Sequence, residues 1–242
     1  ISASMSTTVP NAGASADGGR KLTRLDCIKA AVLAQIESLR SMHPACVPVV
    51  ITFGSSVNVL TDGGRTAPVA VTGRVLQERD ALLAKGEALA QRCTLRADEC
   101  ADSLSQRVRA LRTSGCTALG PALALAVGLA SATAGHGGSG SKVVLATDGL
   151  ANCGVGSLST SWQQHSTDHD FYPDVSRTAA AAGIAINVLT MEGEDCSLEA
   201  VGAAADITNG AVQVVDPATL ADAGVNIAAL LGLDRPTLGG AG

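Results

Sequence analysis

The sequence predicts an α/β fold, a mostly parallel sheet with helices packed on both faces, and three observations carry that prediction. From residue 118 onward, helical patterns and short apolar runs alternate as α-β-α-β-α-β-α, the connectivity of parallel strands joined by crossover helices. The runs "VPVVITF" (47–53) and "KVVLAT" (142–147) are continuous enough to read as strands buried on both faces. Hydrophobic residues make up 46% of the 242 residues but aromatics only 2%, so the core must be built from Ala, Val, Leu and Ile. Such a core suits a sheet covered by small-residue helices.

The elements follow in chain order. Residues 5–21, rich in Ser, Gly and Ala, read as a loop. Leu22, Leu25, Ile28, Val32, Ile36 and Leu39 then recur at steps of three and four, an amphipathic helix ended by His43-Pro44. After the strand at 47–53, "SVNVLTD" (56–62) alternates and precedes Gly63-Gly64, as a hairpin partner or edge strand does. Residues 74–93 and 97–115 read as helices, the second closed by Gly115. An unusually apolar helix spans 118–135, with Pro121 tolerable in its first turn. The strand at 142–147, a helix at 174–183, a strand at 184–191, a helix at 197–210, a strand at 211–216 and a last helix at 217–232 complete the order.

Composition excludes several function classes. A net charge of -5, without aromatic-basic interleaving, gives no electrostatic reason to expect nucleic acid. No uninterrupted apolar run reaches the length of a membrane span. Seven cysteines scattered over a chain this long make a poor disulfide framework and point to a reducing compartment, so a cytoplasmic location is expected. Most of them fall in helices or beside apolar strands, where a free thiol acts as a small hydrophobe.

In a sheet of this kind, functional groups gather beyond the carboxyl ends of the strands. "KVVLAT" delivers Asp148 there, in "TDGLAN". "SGCTALGPAL" places Thr117 at a helix start, and the opening "ISASMS" carries Ser2 and Ser4. If an apolar strand precedes Ile1, all three loops lie on one rim. Serine and threonine hydroxyls with a carboxylate are hard oxygen donors, suited to Mg²⁺, with Mn²⁺ or Ca²⁺ as alternatives, and unsuited to zinc. Few carboxylates leave such an ion electrophilic, so it seeks another carboxylate from outside.

These three segments resemble the von Willebrand factor type A domain and its metal-ion-dependent adhesion site. That family carries Asp-x-Ser-x-Ser at the end of its first strand, then a distant Thr, then a distant Asp. "ISASMS" matches the first element from its second position, "GCTALGPAL" the Thr element and "LATDGLAN" the Asp element, while "RLDCIKAAV" resembles the family's first helix. The tail "EGEDCSLEAVGAAADITNGAVQVVDP" resembles a subset of these domains found in intracellular eukaryotic proteins. The resemblance implies a Rossmann-like, doubly wound fold across a single domain. In it, 1–21 is a metal-loop remnant and flexible loop, 22–232 the α/β core and 233–242 a tail. It implies Ser2, Ser4 and Thr117 as hydroxyl ligands of Mg²⁺, and Asp148 as a ligand directly or through water. It implies a protein partner that completes the ion with an Asp or Glu, and no catalysis. It also implies that the family's first aspartate and its central first strand lie upstream of Ile1, so the sequence is expected to be a fragment of a longer multidomain chain.

Other readings are weaker. A metal-free scaffold of the same fold would hold its partner by surface rather than rim. A Mg²⁺-dependent phosphohydrolase using Asp148 lacks a second acidic pair, a general base and a phosphate cradle. "HSTDHD" puts His165 and His169 four apart beside Asp168 and Asp170, but the surroundings read as a solvated loop rather than a zinc site. "GHGGSGSK" (135–142) precedes a strand and its Lys does not directly follow the final Gly, so it is no phosphate loop, and "GVGSLS" lacks the third glycine of a dinucleotide fingerprint. Cys93 and Cys100 fit no common zinc knuckle. Cys116 abuts Thr117 with no histidine near it in sequence, which argues against a nucleophile.

Overall fold

A computed structural model describes residues 3–6, 23–113, 115–134, 140–147, 151–158, 170–191 and 198–215. The elements are α1 (Arg24–Met42), β1 (Val50–Phe53), β2 (Val57–Leu60), β3 (Val69–Val71), α2 (Arg79–Ala90), α3 (Ala97–Ala110), α4 (Leu119–Ala134), β4 (Lys142–Thr147), α5 (Phe171–Ala181), β5 (Ala185–Met191), α6 (Leu198–Ile207) and β6 (Val212–Val215). The expected last helix at 217–232, the loop from residue 7 to 22, His165, Asp168, His169 and Cys196 lie outside the described residues. Among the described residues no helix is long and apolar enough to cross a membrane.

The strands form two three-stranded sheets. β1-β2-β3 is an antiparallel meander in which Val50 faces Leu60 and Val57 faces Val71. β4-β5-β6 is parallel, with Thr147 beside Thr190 and Met191 beside Val215. This is an α/β architecture with helices flanking a parallel sheet, as the alternation from residue 118 predicts. A continuous cluster of buried side chains joins both sheets. It runs from Val57, Val59 and Val71 through Leu82, Leu123 and Leu125 to Leu145, Ile186 and Val188. A second cluster, with Ile36, Leu60, Cys100, Leu104 and Val108, packs α1 and α3 on the back of β2.

Local chemistry explains most boundaries. α1 begins at a reciprocal cap in which Asp26 N–H donates to Thr23 Oγ1 (3.2 Å) and Thr23 N–H donates to Asp26 Oδ2 (3.1 Å). It ends at Met42, just before His43-Pro44. α5 begins at Phe171, three residues earlier than expected, because Pro173 fits a first turn. Phe171 is fully buried there, and Tyr172 OH donates to Gly156 O (2.8 Å).

Four expectations are corrected. The helix expected from 74 to 93 is a 3₁₀ turn (Gly73–Gln77) followed by α2. Glu78 between them is extended (φ -123, ψ 100), and Leu76 O takes a hydrogen bond from Val155 N–H (2.8 Å). α3 stops at Ala110 rather than 115. Leu111 leaves the helical region (ψ 146), and Lys29 Nζ donates to the carbonyls of Leu111 (2.7 Å) and Arg109 (3.3 Å), a tertiary cap the local pattern does not contain. β1 and β4 are not buried on both faces. Among the described strands each lies at the edge of its sheet, β1 is half-buried throughout, and β4 exposes Lys142 and Val144, whereas the central β5 is buried along nearly its whole length. β3 escapes a sequence reading because three residues are too few to show a period.

α4 is the axle of the fold. It packs on α2 so closely that the two backbones meet through glycines. A Cβ on Gly86 would collide with Leu125 O and Leu129 N, and one on Gly128 with Leu83 O. Each glycine weakens its own helix, and the close approach offsets that cost.

Candidate metal centre

The site is built where the start of α4 meets the carboxyl ends of β1 and β4. Ala118 N–H donates to Gly54 O (3.0 Å), the residue after β1. Cys116 N–H donates to Ser55 Oγ (3.3 Å). Gly115 has φ +66, and a Cβ there would collide with the Ser55 hydroxyl, so only glycine suits this crossing. On the other side stands the segment 151–158, which follows β4. Thr117 N–H donates to Asn152 Oδ1 (2.7 Å), and Asn152 N–H donates back to Thr117 O (3.1 Å). Leu158 N–H closes the segment on Ala151 O (2.8 Å).

Thr117 is therefore held from both flanks, and only 3% of its surface is exposed. Its backbone is fully engaged. Among the described residues its hydroxyl has no hydrogen-bond partner, which leaves that oxygen available to a ligand. A hard oxygen donor on a fixed backbone suits Mg²⁺. Ser2, Asp148 and the Ser4 side chain lie outside the described residues, although the Ser4 backbone is part of a 3₁₀ turn, Ala3–Ser6. Among the described residues no three His, Cys, Asp or Glu side chains come together to hold a metal ion.

Two residues here escape a reading of the sequence. Asn152 holds Thr117, and Ser55 receives the Cys116 N–H. The signal for Asn152 is its place in "TDGLAN", a polar side chain soon after a strand end. Burial alone would push the Cys116 thiol up, but the hydrogen bonds from Cys153, Ser55 and its own backbone outweigh it, and its pKa is lowered. Burial, then the hydrogen bond and charge of Cys116, push Cys153 up to about 11. All six described cysteines are free thiols.

The clamp makes a direct prediction. Asn152→Ala strands the buried Thr117 N–H and should cost about 1–2 kcal/mol of stability, seen as a lower urea midpoint. Asn152→Asp keeps the acceptor and should stay close to the parent protein.

Comparison with known proteins agrees with this fold. No protein-family model matches the sequence. The chain is 28% identical over 205 residues to Circularly permutated Ras protein 1 of Dictyostelium discoideum, a match that covers 84% of this chain and 24% of that protein. Among solved structures it is similar to a von Willebrand factor type A protein from Catenulispora acidiphila, with TM-score 0.51 and 18% identity over 83% of this chain and 36% of that one. It is also similar to the human COPII-coat protein Sec24c, with TM-score 0.51 and 11% identity over 78% of this chain and 28% of that one. The chain thus spans about a quarter of the curated relative it matches. The structural likenesses show that the fold is of the von Willebrand factor A type.

Proposed function

We propose that this chain is a protein-interaction module whose binding rim carries a divalent cation, Mg²⁺ before Mn²⁺ or Ca²⁺. Thr117, with Ser2, Ser4 and Asp148, would supply the oxygens, and an Asp or Glu of the partner would complete the shell. The observation that carries this reading is the buried Thr117. Its backbone is clamped by Asn152 and Gly54–Ser55 at the carboxyl ends of two strands, and its hydroxyl has no partner among the described residues. The fold supports an interaction role over catalysis.

The electrostatics favour an external carboxylate. Three neutral hydroxyls and one carboxylate leave half of a double positive charge uncompensated. A further anion on a shielded ion gains more than it would in bulk water. The ion thus makes recognition of acidic side chains conditional on metal.

A second reading has the same fold acting as an assembly scaffold with no ion; the likeness to a coat protein favours it. Calorimetric titration separates the two. The metal reading expects saturable Mg²⁺ heat and weaker capture of a carboxylate-bearing peptide after chelation with EDTA. Absence of heat, with peptide capture indifferent to EDTA, would support the scaffold.

A further inference from the structure

α1 and the end of α3 border an open cleft of about 330 Å³. Three cations line it, Lys29 from α1, Arg109 from the last turn of α3 and Arg112 just beyond, with Leu33 as part of the apolar lining. Asp26 is the single carboxylate in the lining, and it accepts hydrogen bonds from the N–H (3.1 Å) and the hydroxyl (2.8 Å) of Thr23 at the cap of α1. The cleft therefore holds a surplus of two positive charges, in a chain whose net charge is -5.

These cations differ from the other arginines of the fold. Arg40, Arg74, Arg79, Arg92, Arg96 and Arg177 each meet a carboxylate within 3.5 Å. Arg109 is exposed, and among the described residues its guanidinium has no hydrogen bond or ion pair. Arg112 spends one nitrogen, Nη1, on the carbonyls of Ala110 (3.3 Å) and Leu111 (2.9 Å). Lys29 Nζ is held by the carbonyls of Arg109 and Leu111. Carbonyls are neutral acceptors. They fix where the Lys29 and Arg112 charges sit without cancelling them.

We propose that this cleft binds a phosphate monoester dianion, carried by a phosphorylated side chain of a partner or by a small metabolite. A phosphate monoester bears a charge of about -1.5 to -2 near neutral pH, enough to offset the surplus, whereas a carboxylate offsets half of it. The planar guanidinium fork of Arg109 matches two phosphate oxygens at once, and Arg112 has its Nε and Nη2 donors left to add. Lys29 acts as a fixed point charge, and Leu33 gives the first carbons of the ester an apolar contact. None of these residues belongs to the proposed metal set, so the inference does not rest on the metal reading.

NMR titration of the arginine Nε–H signals tests it, with EDTA present so that no bound cation can carry the anion instead. The probes are inorganic phosphate and a Gly-Gly-phosphoserine-Gly-Gly peptide, and the same peptide with plain serine is the control. Both phosphate probes should shift the Arg109 and Arg112 signals saturably, and raised salt should weaken them. Arg109→Ala should weaken phosphopeptide binding about tenfold or more, since a hydrogen bond to a charged group is lost. Its exposed side chain has no partner among the described residues, so the variant should fold normally. Arg74→Ala removes an arginine already paired with Glu78 and should leave the affinity unchanged. Tighter binding of the phosphopeptide than of inorganic phosphate assigns the site to a phosphorylated partner, and equal binding assigns it to a small phosphate. Absence of a saturable shift with either phosphate probe, an equal response to the plain-serine peptide, or unchanged affinity in Arg109→Ala would overturn the proposal.

Discussion

Gly128→Val will lower the thermal midpoint by about 6–12 °C. The added Cβ would sit on Leu83 O and the backbone atoms around it, and Gly86 meets α4 in the same way from the other side. Backbone cannot rotate aside as a side chain can, so α2 and α4 must separate along their contact. Overpacking of a core costs about 1–3 kcal/mol, and an obstacle made of main chain puts this case at about 3. In a domain of this size each kcal/mol moves the midpoint by about 2–4 °C. The side chains on either side of the contact, Leu82, Leu125 and Val127, belong to the main core, so the loss is not confined to the surface. Gly202→Ala makes the contrast. On α6, the nearest atom to a new Cβ is Val212 Cγ2 at 4.0 Å, and alanine should stabilise that helix by about 0.5–1 kcal/mol. Differential scanning calorimetry of the two variants reads opposite signs if backbone contact, not glycine content, governs α4.

Asp148→Ala will abolish measurable Mg²⁺ binding on the proposed reading, a loss of about a hundredfold or more in affinity, and with it the capture of acidic peptides. The argument is one of charge. Asp148 is the single carboxylate in the proposed set, and neutral hydroxyls alone do not compensate the hydration Mg²⁺ gives up. Losing a group that merely orients a metal ligand already costs about 10–100-fold. Asp148 follows directly on Thr147, which is buried at the carboxyl end of β4. Asn152, four residues further on, clasps Thr117. The variant should keep its melting temperature, since the test concerns binding rather than folding. Unchanged peptide capture by Asp148→Ala would discard the metal reading and leave the scaffold. Turnover of a generic phosphoester that Asp148→Asn removes would instead revive the hydrolase.

Much of the fold is legible in the sequence because it is written in local spacing. The steps of three and four in α1, the Gly and Pro that bound the helices and the β-branched runs of β5 and β6 each act within a few residues. The errors fall where a distant group decides a local outcome. α3 ends where Lys29, from α1, takes its last carbonyls, and the break before α2 coincides with Val155 reaching back to Leu76. The apolar content of β1 and β4 is real, but burial depends on how many neighbours a strand has, and among the described strands both are edges. At the site, the metal roles of Ser2, Ser4, Thr117 and Asp148 all come from resemblance, and Thr117 is the residue among them whose surroundings the structure describes.

The sequence by itself determined the α/β order and the parallel connectivity after residue 118. Only the tertiary structure decided that Asn152 clasps Thr117, that Ser55 receives the Cys116 N–H and that two glycines let α2 touch α4. Periodicity records which face of an element avoids water. It holds no record of which distant residue completes a hydrogen bond, because that partner is set by how whole elements pack.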